Sequence, residues 1–563
     1  MTRNTPHGGL LLWSALACAV LACAPGPTLV RFENRAPIWR VADRRPIPKP
    51  AEVEFSGYRE DIEAFVRAPV LHALAIPEAR LAENVNALGE VPDSTWFTNR
   101  IGRHAWSPAE VARGPGGSGP DRTAPWTIRS RKGGGTAPGF VIEDARGDRY
   151  ILKFDPLTAP AEAETAAEAI VARLLWAAGY NVPENHVVTF ERGDLRLAED
   201  AVQSLPFGGK APLGAADVDA TLSDMPRTSD GHRWRAVASK YLEGIPIGGF
   251  PITGVRADDP NDRVPHERRR DVRGQNVFFA WLGHTDVKQS NTLDMWVPQA
   301  PGAPHGVVVH HLLDFGKALG TWGRDGRHEH DGYAPHFDYG YAMTSFARFG
   351  LWRRPWEGVE APEIRGVGRF ESQHFDPGRY APATPYPPFF EADRLDAYWA
   401  AKIIARFERA HLEAAVAQGR LSDPRAAPYL VRVLDERRQK ILRHWFALVN
   451  PVDDFEVFEQ EHGVRLCAVD LALRYGVASA TRSRHRWRAF DENAGALAWS
   501  RQPWSGAEGR LCADGLPLSE EGAGHALLAM RTWRQNALLP DVIVHLARDP
   551  KTGAPQIIGV ERR

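Results

Sequence analysis

Apolar residues recur at helical spacing between Ala161 and Ala178, where Ala167, Ile170, Val171, Leu174 and Leu175 form one stripe. The pattern predicts a helix ended by Gly179. Just upstream, Phe140 to Phe154 shortens to a period of two around Arg146-Gly147-Asp148, which predicts two strands joined by a turn. Further strands are expected at Val187–Phe190, Ala236–Leu242 and Val307–Leu313, and a helix at Arg268–Leu282. Two long amphipathic helices are expected near 391–417 and 424–447. Beyond about 451 short strands and turns alternate, ending in a hairpin around Asp549–Gly553. Helical signals from Asp61 to Arg67 and a Gly/Pro-rich break at 114–120 organise the region before the first strands. No repeat is visible.

The N-terminus has a different character. Arg3 precedes an apolar run from Leu10 to Val20 that closes on Leu21-Ala22-Cys23. The run is shorter than the ~20 residues that span a bilayer, so it reads as an export signal. Its ending resembles the bacterial lipobox, which implies acylation at Cys23, with Cys18 a weaker site and a plain cleaved signal the alternative. Ala24 stands where inner-membrane lipoproteins usually carry Asp, so the resemblance to lipoproteins implies the outer membrane. The expected localisation is therefore an outer-membrane lipoprotein of the bacterial envelope, held to the membrane through its lipid anchor only. Residues 24–57, rich in Pro and Arg, are expected to be a tether.

Composition narrows the class. The 563 residues suffice for two to four domains at ~150 residues each. With 43% hydrophobic and 25% charged residues, wholesale disorder and fibrous structure are excluded. Lys+Arg total 69 against 70 Asp+Glu, a net charge of −1 that argues against a nucleic-acid partner. Outside the signal only Cys467 and Cys512 remain, and in an oxidising compartment one disulfide is the simplest outcome, free buried thiols being the alternative.

The chemistry-bearing residues come in an ordered series. A turn, Gly133-Gly134-Gly135, precedes the strand pair whose second strand carries Lys153, and the next helix carries Glu164 and Glu168. His284-Thr-Asp286-Val-Lys288-Gln-Ser-Asn291 then follows a helix, and Asp314-Phe315-Gly316 follows a buried strand. Phosphoryl transfer needs such groups: a compact cation for phosphates, oxygen ligands for Mg²⁺, and a carboxylate to orient the attacking hydroxyl. Only 10 of the 69 basic residues are Lys, so Lys at 153 and 288 departs from the chain's preference for Arg. Arginine cannot replace a compact ammonium at a phosphate site without changing the geometry.

In that order the motifs resemble the protein-kinase superfamily, closest in style to its atypical HipA-like and secretory-pathway branches and to a group of bacterial exported lipoproteins. The resemblance covers roughly 126–450. It implies a two-lobed α+β fold with an N-lobe at 126–245 and a larger helical C-lobe at 246–450, flanked by an accessory region at 58–125 and a small α/β domain at 451–563. It implies ATP and Mg²⁺ (or Mn²⁺) as cofactors, with Asn291 and Asp314 on the metal, Lys153, Glu168 and the Gly133–Gly135 turn on the nucleotide, and Asp286 and Lys288 at the transferred group. Glu168, eleven residues before Gly179, is the glutamate the resemblance selects over Glu164. The acceptor stays open: protein, sugar or lipid, receiving a phosphoryl or nucleotidyl group. The Gly turn lacks G-x-G-x-x-G, and the long gap from Asn291 to Asp314 predicts an extended hairpin at Pro298–His305.

Two other readings compete. His310, His311, His328, His330 and His336, with Asp325, Glu329 and Asp331, form the inventory of a metal-dependent hydrolase, although no H-E-x-x-H is present. A kinase-shaped scaffold without activity is the other. Trp296, Trp322, Trp352 and Trp356 flank the series, either as core or as a stacking surface for sugars.

Overall fold

The computed structural model describes residues 30–53, 62–67, 70, 80–133, 137–157, 159–205, 209–322, 330–336, 338–354, 356–519 and 524–563. The export signal with Cys23, as well as Gly134, Gly135, Asp325, His328 and Glu329, lie outside the described residues. The architecture is mixed α+β, with several separate sheets and a helical body. No helix among the described residues is long and apolar enough to cross a membrane.

A seven-stranded sheet is built from β1 (Trp126–Arg131), β2 (Gly139–Glu143), β3 (Arg149–Lys153), β4 (Asn185–Phe190), β5 (Leu195–Ser204), β6 (Lys210–Pro212) and β7 (Trp234–Lys240). Its order is β4-β7-β3-β2-β1-β5-β6. Every pairing is antiparallel except β1 with β5. The period of two sends Tyr150 and Leu152 of β3 into an apolar layer with Trp126, Phe140, Ile142 and Phe190. Lys153 follows Leu152, so its side chain leaves on the opposite face.

Helix α1 (Ala163–Ala178) connects β3 to β4 and is buried along almost its whole length. Its apolar stripe joins the core of the helical body rather than that of the sheet. Asp155 accepts from the Thr165 amide and hydroxyl, both at 2.9 Å, and so satisfies donors in the helix's first turn. At the other end Gly179 has φ 143°, and a Cβ there would stand 2.3 Å from the Phe97 ring. Only glycine fits that corner.

The helical body holds α2 (Arg270–Leu282), a hairpin of β8 (Thr292–Pro298) and β9 (His305–Leu312), then α3 (Arg394–Ala405), α4 (Arg409–Ala417) and α5 (Ala426–Ala447). The hairpin spans the expected Pro298–His305 turn, with β8 and β9 antiparallel. Trp281 and Trp399 anchor the shared core, and the Trp281 indole donates to the Leu434 carbonyl at 2.9 Å. The long helix expected over 391–417 is two helices. Phe407 turns wholly into the core against Trp281, and the Glu408 amide donates to His411 Nδ1 at 3.0 Å to start the next helix.

Two further expectations change. The part of the tether that is described, from Val30 to Val53, is packed down instead of loose. Asn34 donates to the Arg548 carbonyl, Phe32 packs edge-on against His545, Asp43 accepts from the Thr95 amide, and Ile47–Pro48 pairs with β9. Its anchors are single residues spaced without a period, so pattern analysis passes over them.

The C-terminal region is almost wholly β, not α/β; among its described residues the one α-helix is Leu471–Arg474. A four-stranded sheet built on Val452–Glu459, Val464–Asp470 and Arg510–Leu516 accompanies a second sheet centred on Ala526–Arg534. Trp487, Leu466, Leu528 and Val544 share the core between them. Cys467 and Cys512 face each other across neighbouring strands and are bonded, S–S 2.07 Å. The bond closes a 45-residue separation, worth about 4 kcal/mol in the chain-entropy account. Reduction, or Cys512→Ser, is expected to lower the unfolding midpoint of this domain by several degrees, read by calorimetry with and without reductant. An unchanged midpoint would deny the bond any part in stability.

Candidate functional site

Lys153, on the last residue of β3, reaches across to α1. Its ammonium lies 2.7 Å from Glu168 Oε1 and 3.3 Å from Asp314 Oδ1. Glu168 is held from two further sides: Asn185 Nδ2 donates to its Oε2 at 3.0 Å, and the Phe315 amide donates to the same oxygen at 3.2 Å. Strand, helix and the Asp314-Phe315-Gly316 segment therefore meet on one carboxylate. Phe315 is fully buried, and Asp314 takes a left-handed backbone, φ 60°, that turns its half-exposed carboxylate back toward Lys153.

Charge in this cluster is unequally shared. Lys153 drives Asp314 well below the usual carboxylate range, against the cost of its burial. Burial, with the Asp314 charge adding to it, pushes Glu168 up, and Lys153 opposes them. Burial also works against the Lys153 cation, but Asp314 and Glu168 outweigh it and hold the ammonium above its ordinary value.

The second half of the site follows α2. Asp286 is buried and carries two ammonium partners, Lys288 Nζ at 2.9 Å and Lys317 Nζ at 3.2 Å. Burial opposes its ionisation, yet these lysines pull it below the ordinary carboxylate range. Asn291 sits in a short 3₁₀ turn and donates from Nδ2 to the Asp286 carbonyl at 2.7 Å. With the amide nitrogen engaged, Oδ1 is the atom of that side chain left for a cation. The Asn291 carbonyl in turn accepts from the Leu313 amide at 2.9 Å, which ties the loop to the residue before Asp314. His284 is fully packed beside the Phe279 and Phe315 rings, and burial lowers it to about 4. It is neutral at pH 7.

Six of the expected residues are thus distributed over two contact groups, Lys153–Glu168–Asp314 and Asp286–Lys288–Asn291, joined by the Asn291–Leu313 bond. Gly133 is not seen over them; the position of its missing Cβ faces Ser204. Sequence reasoning missed Lys132 and Lys317. Lys132 is close enough to Lys153, Asp314 and Glu168 to feel all three charges, and Lys317 bridges Asp286 to the Trp322 ring at 4.5 Å. The rarity of lysine was the available signal, since four of the chain's ten lysines converge here.

The histidine-rich set behaves differently. His310 bonds Asp294 at 2.6 Å and stacks on Trp96 at 3.6 Å, inside the core. His336 lies 3.8 Å from Asp331, and its ring is 6.0 Å from that of His330. Among the described residues no three His, Cys, Asp or Glu side chains are grouped to hold a metal. Trp296 is also core, its indole donating to the Ile47 carbonyl, while Trp322, Trp352 and Trp356 lie in the segments after Asp314.

No protein-family model, curated protein or solved structure matches the chain.

Glu164, one turn before Glu168, is buried; the nearest atoms to a Cβ built at Gly316 belong to these two glutamates. Burial first, then the Asp155 charge, pushes Glu164 up to about 8. An unfolded chain ionises this group near 4.5, so its burial costs stability as pH climbs from about 4.5 to about 8 and is harmless below that window. Glu164→Gln should therefore melt at least ~2 °C higher than the parent at pH 8. The difference should fade by pH 5. An equal difference at both pH values in a thermal melt would refute the assignment.

Proposed function

We propose that the chain is an exported kinase-like phosphotransferase that moves a phosphoryl or nucleotidyl group from ATP to an acceptor in the envelope, with Mg²⁺ (or Mn²⁺) as its metal. The observation that carries this is the bridging of Lys153 to both Glu168 and Asp314. It places a positive charge from the sheet against a carboxylate on each of two other elements, the kind of compact cation that a metal-bound polyphosphate requires.

The finer, two-lobed form of the α+β fold is part of the same proposal. In its favour, the Lys153 sheet has an apolar core separate from that of the helical body. Its β1-β2 hairpin, β3, β7 and β4 lie side by side in that order, with α1 crossing from β3 to β4. The donor chemistry suits magnesium as well. Asp314 is held ionised and half-exposed, Asn291 has its carbonyl oxygen to offer, and both are hard oxygen ligands. Magnesium, when bound there, would screen and orient the phosphate oxygens.

The remaining roles belong to the chain itself. Glu168 keeps the Lys153 ammonium aimed, so that it can pair with phosphate oxygens without losing its position. Asp286, kept ionised by Lys288 and Lys317, accepts a hydrogen bond from the acceptor's hydroxyl and takes its proton as the new O–P bond forms and the P–O bond to the departing ADP, or pyrophosphate in nucleotidyl transfer, breaks. Lys288 and Lys317 supply positive charge where the transferred group would gather negative charge. The leader from Leu10 to Cys23 supports export and acylation, which would leave the site in the envelope.

A Mg²⁺-dependent rise in melting temperature with ATP is the expected result, lost in Asp314→Ala. Asp286→Asn should keep that rise while transfer of labelled phosphate or nucleotide into an envelope extract falls about 10²- to 10⁴-fold. No rise with any nucleotide would leave a scaffold as the better account. Transfer that survives Asp286→Asn would remove that residue's role.

A further inference from the structure

We infer that the helix Tyr339–Ala347 and the loop after it are a second membrane contact, an interfacial segment that lies on a bilayer carrying anionic headgroups. This inference does not depend on the transferase proposal.

The segment is apolar and uncovered. Tyr339 is 70% exposed, Met343 68%, Phe346 82%, Phe349 91% and Leu351 87%, and no residue of the helix is buried. Large apolar side chains this close together and this exposed are unusual on a protein surface and mark a contact site. Tyr339, Met343 and Phe346 are spaced i, i+4, i+7, so they share one face of the helix, and Phe349 and Leu351 extend it.

Its charges identify the occupant. From Tyr339 to Arg354 the only charged residues are Arg348, Arg353 and Arg354. Arg354 is committed to Asp338 at 2.7 Å and lies over the Tyr341 ring, while Arg348 and Arg353 are exposed. Trp352 sits between the exposed arginines in sequence, with the Arg348 guanidinium 5.8 Å from its ring. Asp338, at the start of the helix, is paired with Arg354, and Glu357 lies on the cavity side, so the exposed charges within the segment are the two arginines. Exposed aromatic and aliphatic side chains beside exposed arginines match the boundary of an anionic leaflet, where the rings enter the acyl region and the guanidinium groups stay with phosphate.

The segment adjoins the candidate site. It helps to line a cavity of about 430 Å³ with His336 and Trp356, and His336 packs edge-on to Trp322 at 5.0 Å.

The test uses the full chain with Cys18→Ser and Cys23→Ser, which removes acylation. An environment-sensitive dye is placed at Met343→Cys, and in a parallel chain at Leu538→Cys, an exposed apolar position in the C-terminal domain. With vesicles of phosphatidylethanolamine and phosphatidylglycerol, the dye at 343 should shift to the blue and the dye at 538 should not. Phosphatidylcholine vesicles or high salt should weaken the shift at least threefold. Adding Phe346→Ser and Phe349→Ser should reduce vesicle partitioning tenfold or more, with the melting temperature unchanged. Equal shifts at both positions, or none at 343, would overturn the inference. So would a shift at 343 that grows with protein concentration in the absence of lipid, which would assign the face to a second copy of the chain.

Discussion

One ammonium group organises the centre of this molecule. Lys153 ends a strand, Glu168 lies in the middle of a helix and Asp314 follows another strand 161 residues later, and all three meet within 3.3 Å. Two ionised carboxylates are costly to hold this close without a cation between them, because burial and mutual repulsion both disfavour their charge. The lysine in turn is tolerable in a packed setting only because both are present. Each member makes the others affordable.

The rest of the fold is arranged to keep that contact from relaxing. The face of β3 that carries Tyr150 and Leu152 is locked into the sheet's core, which directs Lys153 the other way. The stripe of α1 that carries Ile170 and Leu174 is locked into the helical body, and Asp155 holds its first turn. Buried Phe315, whose amide bonds Glu168, fixes the Asp314 backbone in the left-handed region. Directionality comes from apolar packing on both sides of a polar seam, and the seam itself is wired by few bonds.

The second acidic group is built on a different principle. Asp286 meets two lysines, one from its own loop and one from beyond Asp314, and its backbone carbonyl is bonded by Asn291. Beside it His284, kept neutral by burial, packs against the Phe279 and Phe315 rings. Two carboxylates are thereby held below the ordinary carboxylate range by separate cations, the arrangement on which the separate roles proposed for them rest.

Much of the local structure was written in the order of residues. The stripe on α1, the alternation around Arg146-Gly147-Asp148, the hairpin at Pro298–His305 and the scarcity of lysine were all legible, because they rest on periodicity, turn chemistry and composition. Contacts made by isolated residues were not. Phe32, Asp43 and Ile47 have no period, so their docking emerged only with the surfaces they meet. Phe407 broke a helix that its neighbours' pattern would have continued, because the core had room for its ring. Lys132 and Lys317 joined the charged seam for the same reason: which cations gather around a carboxylate depends on distances across the fold. The chain by itself determined which side chains were available for chemistry and which faces had to be hidden. Tertiary packing alone decided which of them would touch, since burial acts on whole surfaces and is indifferent to sequence separation.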